Sequence, residues 1–224
     1  MKLILTFLSF IMFAIPYPSL AAPIATSSMV LGDQKTIALT FDDGPYGTST
    51  EQVLSILKTE NVHATFFLTG QNVKEFPQEA VEIVAAGNKI GNHTYTHTDL
   101  SKLSTEQSLA DIQQAEIEIA STTGVHTMLF RPPYGILPTT LKKALKKKGF
   151  KIKMWNDDPR DWDSASSTSA LIVSRVLNQE KLHTVLILHD GRDTHVNYPR
   201  DNMTDALPKI IENFESQGYT FVTL

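Results

Sequence analysis

Two adjacent carboxylates, Asp42 and Asp43, follow the run Ile37-Ala38-Leu39-Thr40-Phe41 and precede Gly44-Pro45. A buried strand that empties onto two charges has placed costly groups at its carboxyl end, and such groups persist when paired, solvated or bound to a metal. An Asx turn closed by Gly44 and Pro45 would account for the same residues without chemistry. His93 and His97 are four apart, which sets two imidazoles on one side of a helical turn or compact loop. Joined to a carboxylate they make a two-His, one-Asp set with positions left open for water and substrate, the arrangement of a catalytic zinc site.

Three further strings carry groups of the same kind. In Arg131-Pro132-Pro133-Tyr134-Gly135, two prolines and a glycine fix a rigid path, so the guanidinium is aimed and suited to a carboxylate partner. Asp158-Pro159-Arg160-Asp161-Trp162, shortly after Trp155, gathers acids and both tryptophans of the chain, and indole faces are common where sugar rings stack. Val185-Leu186-Ile187-Leu188-His189 is a core strand ending in an imidazole that can give or take a proton near neutral pH.

The elements that must position these groups alternate along the chain. Strand-like runs occur at 36–41, 63–68, 88–92, 127–130, 150–155, 184–189 and 219–223, and helical patterns of apolar residues fall between them. That rhythm predicts parallel strands with right-handed crossovers, in a barrel or an open doubly wound sheet. The chemistry decides between them. The ends of the first, third, fourth, fifth and sixth strands carry Asp42 and Asp43, then His93 and His97, Arg131, Asp158 and Asp161, and His189, and contributions from so many strands converge most simply in a barrel. We therefore expect an irregular (β/α)7-8 barrel, with the fourth strand short and proline-terminated.

At 224 residues the chain has the size of one domain, and it lacks an internal linker or repeat. Its formal net charge of −4 gives no support to nucleic-acid binding. Lys142, Lys143 and Lys146 to Lys148 end a helical pattern, where cations suit the helix dipole. Lys2, the apolar run Leu3 to Ile15 and Ser19-Leu20-Ala21 read as a secretory signal peptide over residues 1–21, leaving 22–224 as the mature domain with no stable membrane insertion. With no cysteine, disulfides and thiolate metal sites are excluded.

From about Thr36 to Leu224 the chain resembles the polysaccharide deacetylases of the nodulation-protein B type, carbohydrate esterase family four. Five motifs appear in the family's order: Thr-Phe-Asp-Asp-Gly-Pro at 40–45, His-Thr-x-x-His at 93–97, Arg-x-Pro-Tyr at 131–134, Asp-x-x-Asp-Trp at 158–162, and Ile-Leu-His at 187–189. The resemblance implies a distorted barrel and a single divalent ion, Zn2+ first, with Co2+, Ni2+ or Mn2+ as alternatives, held by Asp43, His93 and His97. It implies Asp42 as general base oriented by Arg131, a backbone N–H of Tyr134 in the oxyanion hole, His189 as general acid tuned by Asp161, and an acetyl pocket formed by Trp162 and Ile187.

The reaction so implied is attack of an activated water on an acetamide carbonyl, followed by protonation of the departing amine. The expected enzyme is a secreted monomer acting on N-acetylated polysaccharide, either peptidoglycan or chitin. An acetylxylan O-deacetylase and a non-catalytic glycan-binding homologue are the alternatives. Three positions depart from the family pattern: Ile187 for the usual Leu, Thr98 where Pro is frequent, and Asp157 for an apolar residue. Asp157 is expected to add a carboxylate near His189.

Overall fold

A computed structural model describes residues 34–163, 166–179, 181–191 and 201–224. The signal peptide expected at 1–21 lies outside them.

The strands are β1 (Thr36–Asp42), β2 (Thr65–Leu68), β3 (Lys89–Asn92), β4 (Leu129–Phe130), β5 (Lys151–Ile152), β6 (His183–His189) and β7 (Thr220–Phe221). All are parallel, in the order β5-β4-β3-β2-β1-β6, with β7 paired to the first two residues of β1. Beyond β5 the chain swings back to the other end of the sheet. Asp157 forms a parallel bridge with Leu186, and Ile187 donates its N–H to the Asp157 carbonyl at 3.0 Å. This short seam joins the two edges of the curled sheet, and the irregular barrel is the result.

Helices α1 (Gly47–Thr59), α2 (Gly70–Glu75), α3 (Pro77–Ala85), α4 (Thr105–Thr123), α5 (Thr139–Lys147), α6 (Ser169–Leu177) and α7 (Asp201–Ser216) make the crossovers. Their limits follow from local chemistry. Ser104 and Gln107 form a reciprocal capping box at the start of α4, and Gly124 ends it in the left-handed conformation at φ 74°. Pro77 stands in the first turn of α3, where a missing N–H costs nothing. Helix α2 was not expected, being too short for a periodic apolar signal. His63, expected in β2, is exposed just before it.

Side-chain alternation sorts the strands into two faces. Ile37, Leu39, Phe41, Phe66, Leu68, Leu186 and Leu188 join the core beneath the helices, together with Val53, Ile83, Ile172 and Phe214. Each such side chain contributes about 1.5–3 kcal/mol on burial. The intervening positions of β1, Thr40 and Asp42, are thereby turned the other way, into the barrel, where Arg131 meets both.

Candidate active site and metal centre

Asp42 is 2% exposed and its Oδ1 accepts from Arg131 Nη1 at 2.7 Å. The same Nη1 lies 2.8 Å from Thr40 Oγ1, and Nε donates to the Lys153 carbonyl at 3.1 Å. Arg131 is wholly buried, with its guanidinium 4.1 Å from the Phe67 ring centroid and 5.6 Å from that of Trp155. A planar cation held between aromatic faces and tied to fixed acceptors has little freedom, so it sets the position of the Asp42 carboxylate.

Asp43 turns the chain at φ 70°, in the left-handed region that non-glycine residues seldom occupy. The turn is held from several sides. Asn72 donates to the Asp43 carbonyl at 2.6 Å, and Gly191 packs so closely that a Cβ there would sit 1.9 Å from that oxygen. His97 and Thr94 also have positive φ, 54° and 70°. Such conformations cost on the order of 1 kcal/mol or more each and survive where the surroundings overdetermine them. Here the Asn92 amide accepts from the Thr94 N–H at 2.8 Å, Thr94 Oγ1 accepts from the His97 N–H at 3.1 Å, and Asp111 on α4 accepts from the Tyr95 N–H at 2.8 Å. Thr96 also donates to Asp111 and is bonded to Thr98, so the threonine at 98 belongs to this network.

Imidazole Nε2 atoms converge on Asp43 Oδ1, His93 at 3.4 Å and His97 at 3.1 Å. The ligand atoms of all three residues lie within 4.8 Å of one another, and all three residues are buried. His93 Nδ1 is 2.7 Å from the Arg131 carbonyl oxygen. A carbonyl can only accept, so Nδ1 carries the proton and Nε2 presents its lone pair toward Asp43. Asp43 Oδ1 is buried without a hydrogen-bond donor. Burial works to raise the Asp43 carboxyl, but when the facing imidazoles are protonated the charge of His97 and the hydrogen bonds of His93 and His97 outweigh it and hold the group well below the usual range. Two imidazole nitrogens and one carboxylate oxygen around an unsatisfied point fit a divalent ion of the zinc type.

His189 ends β6. Its Nδ1 donates to Asp161 Oδ1 at 2.8 Å, and its backbone N–H donates to Oδ2 of the same carboxylate at 2.8 Å. Tyr134, at φ 57°, is 54% exposed and sets its ring edge-on to His97 with centroids 4.8 Å apart. Ile187 is buried, while Trp162 is 42% exposed beside Asp161. All ten residues singled out in the sequence thus fall at the carboxyl ends of the strands or in the loops that follow them.

A sequence profile for polysaccharide deacetylases matches residues 31–152. The chain belongs to the polysaccharide deacetylase family. It is 36% identical over 197 residues to a peptidoglycan-N-acetylglucosamine deacetylase of Bacillus cereus, covering 87% of this chain and 89% of that protein. It is 35% identical over 192 residues to the peptidoglycan-N-acetylmuramic acid deacetylase PdaC of Bacillus subtilis, covering 86% of this chain and 38% of PdaC. A solved structure of PdaC superimposes with a TM-score of 0.75, covering 86% of this chain and 89% of the one solved. A bifunctional xylanase/deacetylase of Pseudobutyrivibrio xylanivorans is 39% identical over 193 residues, which is 86% of this chain and 30% of that protein. The chain therefore spans well under half the length of two of these relatives.

Sequence reasoning missed most of the supporting residues of this site. Asn72, Asn92, Asp111 and Gly191, with the motif residue Thr94, fix the turns that carry Asp43, His93 and His97, yet the first four are ordinary polar or small residues in their local stretches. Asp157 behaves differently from expectation. It bridges Leu186, a member of the helix-facing core, and paired residues on neighbouring strands share a face. Its carboxylate accordingly lies on the core side and not beside His189. It is 1% exposed, neither oxygen has a hydrogen-bond partner among the described residues, and burial raises its pKa to about 6 against the attraction of Lys181.

Proposed function

We propose that this protein is a secreted, divalent-metal-dependent hydrolase that removes N-acetyl groups from a GlcNAc-containing polysaccharide, with peptidoglycan ahead of chitin. The observation that carries the reading is the convergence of three sets in one barrel mouth: Asp43 with His93 and His97, Asp42 with Arg131, and His189 with Asp161. Two of the relatives described above bear names of peptidoglycan deacetylases, which supports the choice of polymer.

Asp43, His93 and His97 would hold the ion, zinc first among Co2+, Ni2+ and Mn2+. The chemistry such an ion supplies when bound is Lewis-acid polarisation of water and of an acyl oxygen. Asp42, its Oδ1 committed to Arg131, keeps Oδ2 toward His93 at 3.7 Å and takes the proton of the attacking water there. The Tyr134 backbone N–H donates to the oxygen that becomes negative in the tetrahedral state. His189, with Nδ1 donating to Asp161, uses Nε2 to pass a proton to the leaving nitrogen. Trp162 and Ile187 wall the acetyl methyl group.

Similarity to a xylanase/deacetylase favours a second reading, removal of O-acetyl groups from xylan. The same groups serve an ester, whose alkoxide leaves more readily than an amine. A glycan-binding homologue without activity is the third alternative. Acetate release by purified protein on peptidoglycan, chitin oligomers and acetylxylan, with and without chelator, separates them. Chelator-sensitive release from the N-acetylated polymers is expected, and release from acetylxylan alone would overturn the reading. The protein is proposed to act as a monomer, without nucleic acid as partner. Export with residues 1–21 removed is expected to give a new N-terminus within a few residues of Ala22 by mass spectrometry, and retained Met1 on exported protein would contradict it.

A further inference from the structure

Arg160 and Trp162 flank Asp161, the carboxylate that holds His189, and both lie on the outside of the loop. Trp162 is 42% exposed and the Arg160 side chain 56% exposed, with the guanidinium 5.2 Å from the indole centroid. The backbone beneath them is fixed. Arg160 sits at φ 58°, its N–H donates to Asp158 Oδ1 at 2.8 Å, and its carbonyl accepts from Ser167 Oγ at 2.7 Å and the Asp163 N–H at 3.1 Å. Arg175 braces the same loop through the Pro159 carbonyl and Ser167 Oγ. A non-glycine residue held this firmly in the left-handed region presents its side chain in a set direction.

The acids around Arg160 are committed elsewhere. Asp158 caps the arginine's own N–H, and both oxygens of Asp161 accept from His189. Asp163 Oδ2 accepts from Ser166 at 2.6 Å and lies 3.9 Å from Arg160 Nη2, too far for a hydrogen bond. Among the described residues, then, no carboxylate forms a hydrogen-bonded pair with this guanidinium. A cation stacked on an exposed indole at the rim of the proposed deacetylation site offers a flat apolar face for a pyranose ring and, beside it, a planar donor fork for an anion.

We propose that the Arg160–Trp162 pair is a subsite for a sugar bearing a carboxylate substituent, next to the sugar that is deacetylated. The preferred substrate class is then an acidic glycan, such as one carrying lactyl ether groups, and not neutral chitin. The inference rests on the deacetylase reading but makes a separate claim about selectivity. Both the free lactyl carboxylate and a carboxylate on an attached peptide present the same chemistry, and the substrates below distinguish them.

The test compares kcat/KM for a neutral GlcNAc oligomer, an alternating GlcNAc–N-acetylmuramic acid oligomer with free carboxylates, the same oligomer with those carboxylates capped as methylamides, and one carrying short peptides. Wild-type protein favours the oligomer with free carboxylates, and Arg160→Ala lowers the acidic-to-neutral ratio about fivefold through KM, the size of an exposed ion pair's contribution. Arg160→Lys restores part of it, and raised salt erodes it in the wild type. Preference for the peptide-bearing oligomer alone would move the carboxylate from the sugar to the peptide and overturn the assignment. A ratio that Arg160→Ala leaves unmoved overturns it as well. Binding of the same oligomers to an Asp42→Asn variant reads selectivity without turnover. Carboxylate-selective binding that needs Arg160, when wild-type protein releases no acetate from any of these oligomers, would sustain this inference while the deacetylase reading falls.

Discussion

Asp42 and His189 are direct partners in the parallel register of β1 and β6. Each is held from behind by a residue of opposite charge type on another element: Arg131 bonds Asp42 at 2.7 Å and Asp161 bonds His189 at 2.8 Å. In the proposed mechanism this pairing sets a proton acceptor and a proton donor side by side, and the two roles separate on substrates with different leaving groups. His189→Ala is expected to cut amide turnover by roughly 10²–10⁴-fold, the loss typical of a missing general acid, and to spare an activated aryl acetate. Asp42→Asn damages both, because both need the activated water. Equal losses on amide and aryl ester for His189→Ala would remove its assignment as leaving-group acid.

Arg131 joins the two halves of the site, since its guanidinium fixes Asp42 and its carbonyl fixes the His93 tautomer. Arg131→Met leaves the buried Asp42 carboxylate without its partner. Breaking one side of a buried pair costs about 3–5 kcal/mol. Thermal or urea unfolding should record a loss of that order, with turnover lost as well. Arg131→Lys retains charge but cannot bond Asp42 and the Lys153 carbonyl together with one planar fork, so activity stays low while stability partly returns. Full activity in Arg131→Lys would contradict the positioning role.

Asp157 predicts a pH dependence. Its folded pKa of about 6 is raised above the ordinary 3.8, so the native state binds this proton more tightly than the unfolded chain. Stability from that proton is fully present below about 4 and is lost as pH rises through about 6, an effect of at most roughly 3 kcal/mol. Asp157→Asn removes the titration, and its stability advantage over wild type should grow between pH 4 and 7. Parallel stability profiles across that range would show that the seam tolerates the ionised group.

The strand count, the parallel pairing and the barrel were legible because buried strands carry continuous apolar runs, and because five of the seven runs ended on or led into groups able to do chemistry. Strand ends were less so. The expected strand over 150–155 is cut to Lys151–Ile152 because the chain leaves β4 to reach β6, a tertiary event without a local signal. Helix α2 is six residues long, below the length at which periodicity speaks. The charged residues of the site were legible by type and spacing. Asn72, Asn92 and Asp111 were not, since a residue that only holds a turn has no distinguishing chemistry until the turn is seen. The core-side placement of Asp157 was hidden for the same reason: its face depends on the register with Leu186.

The three-residue centre bears the whole account, and metal content read together with turnover tests it most directly. Chelator-stripped protein, verified metal-free, should release no acetate from an N-acetylated oligomer, recover on titration with Zn2+ and saturate near one equivalent, while His97→Ala neither binds the equivalent nor recovers. Full turnover in the verified metal-free protein would contradict the assignment of Asp43, His93 and His97.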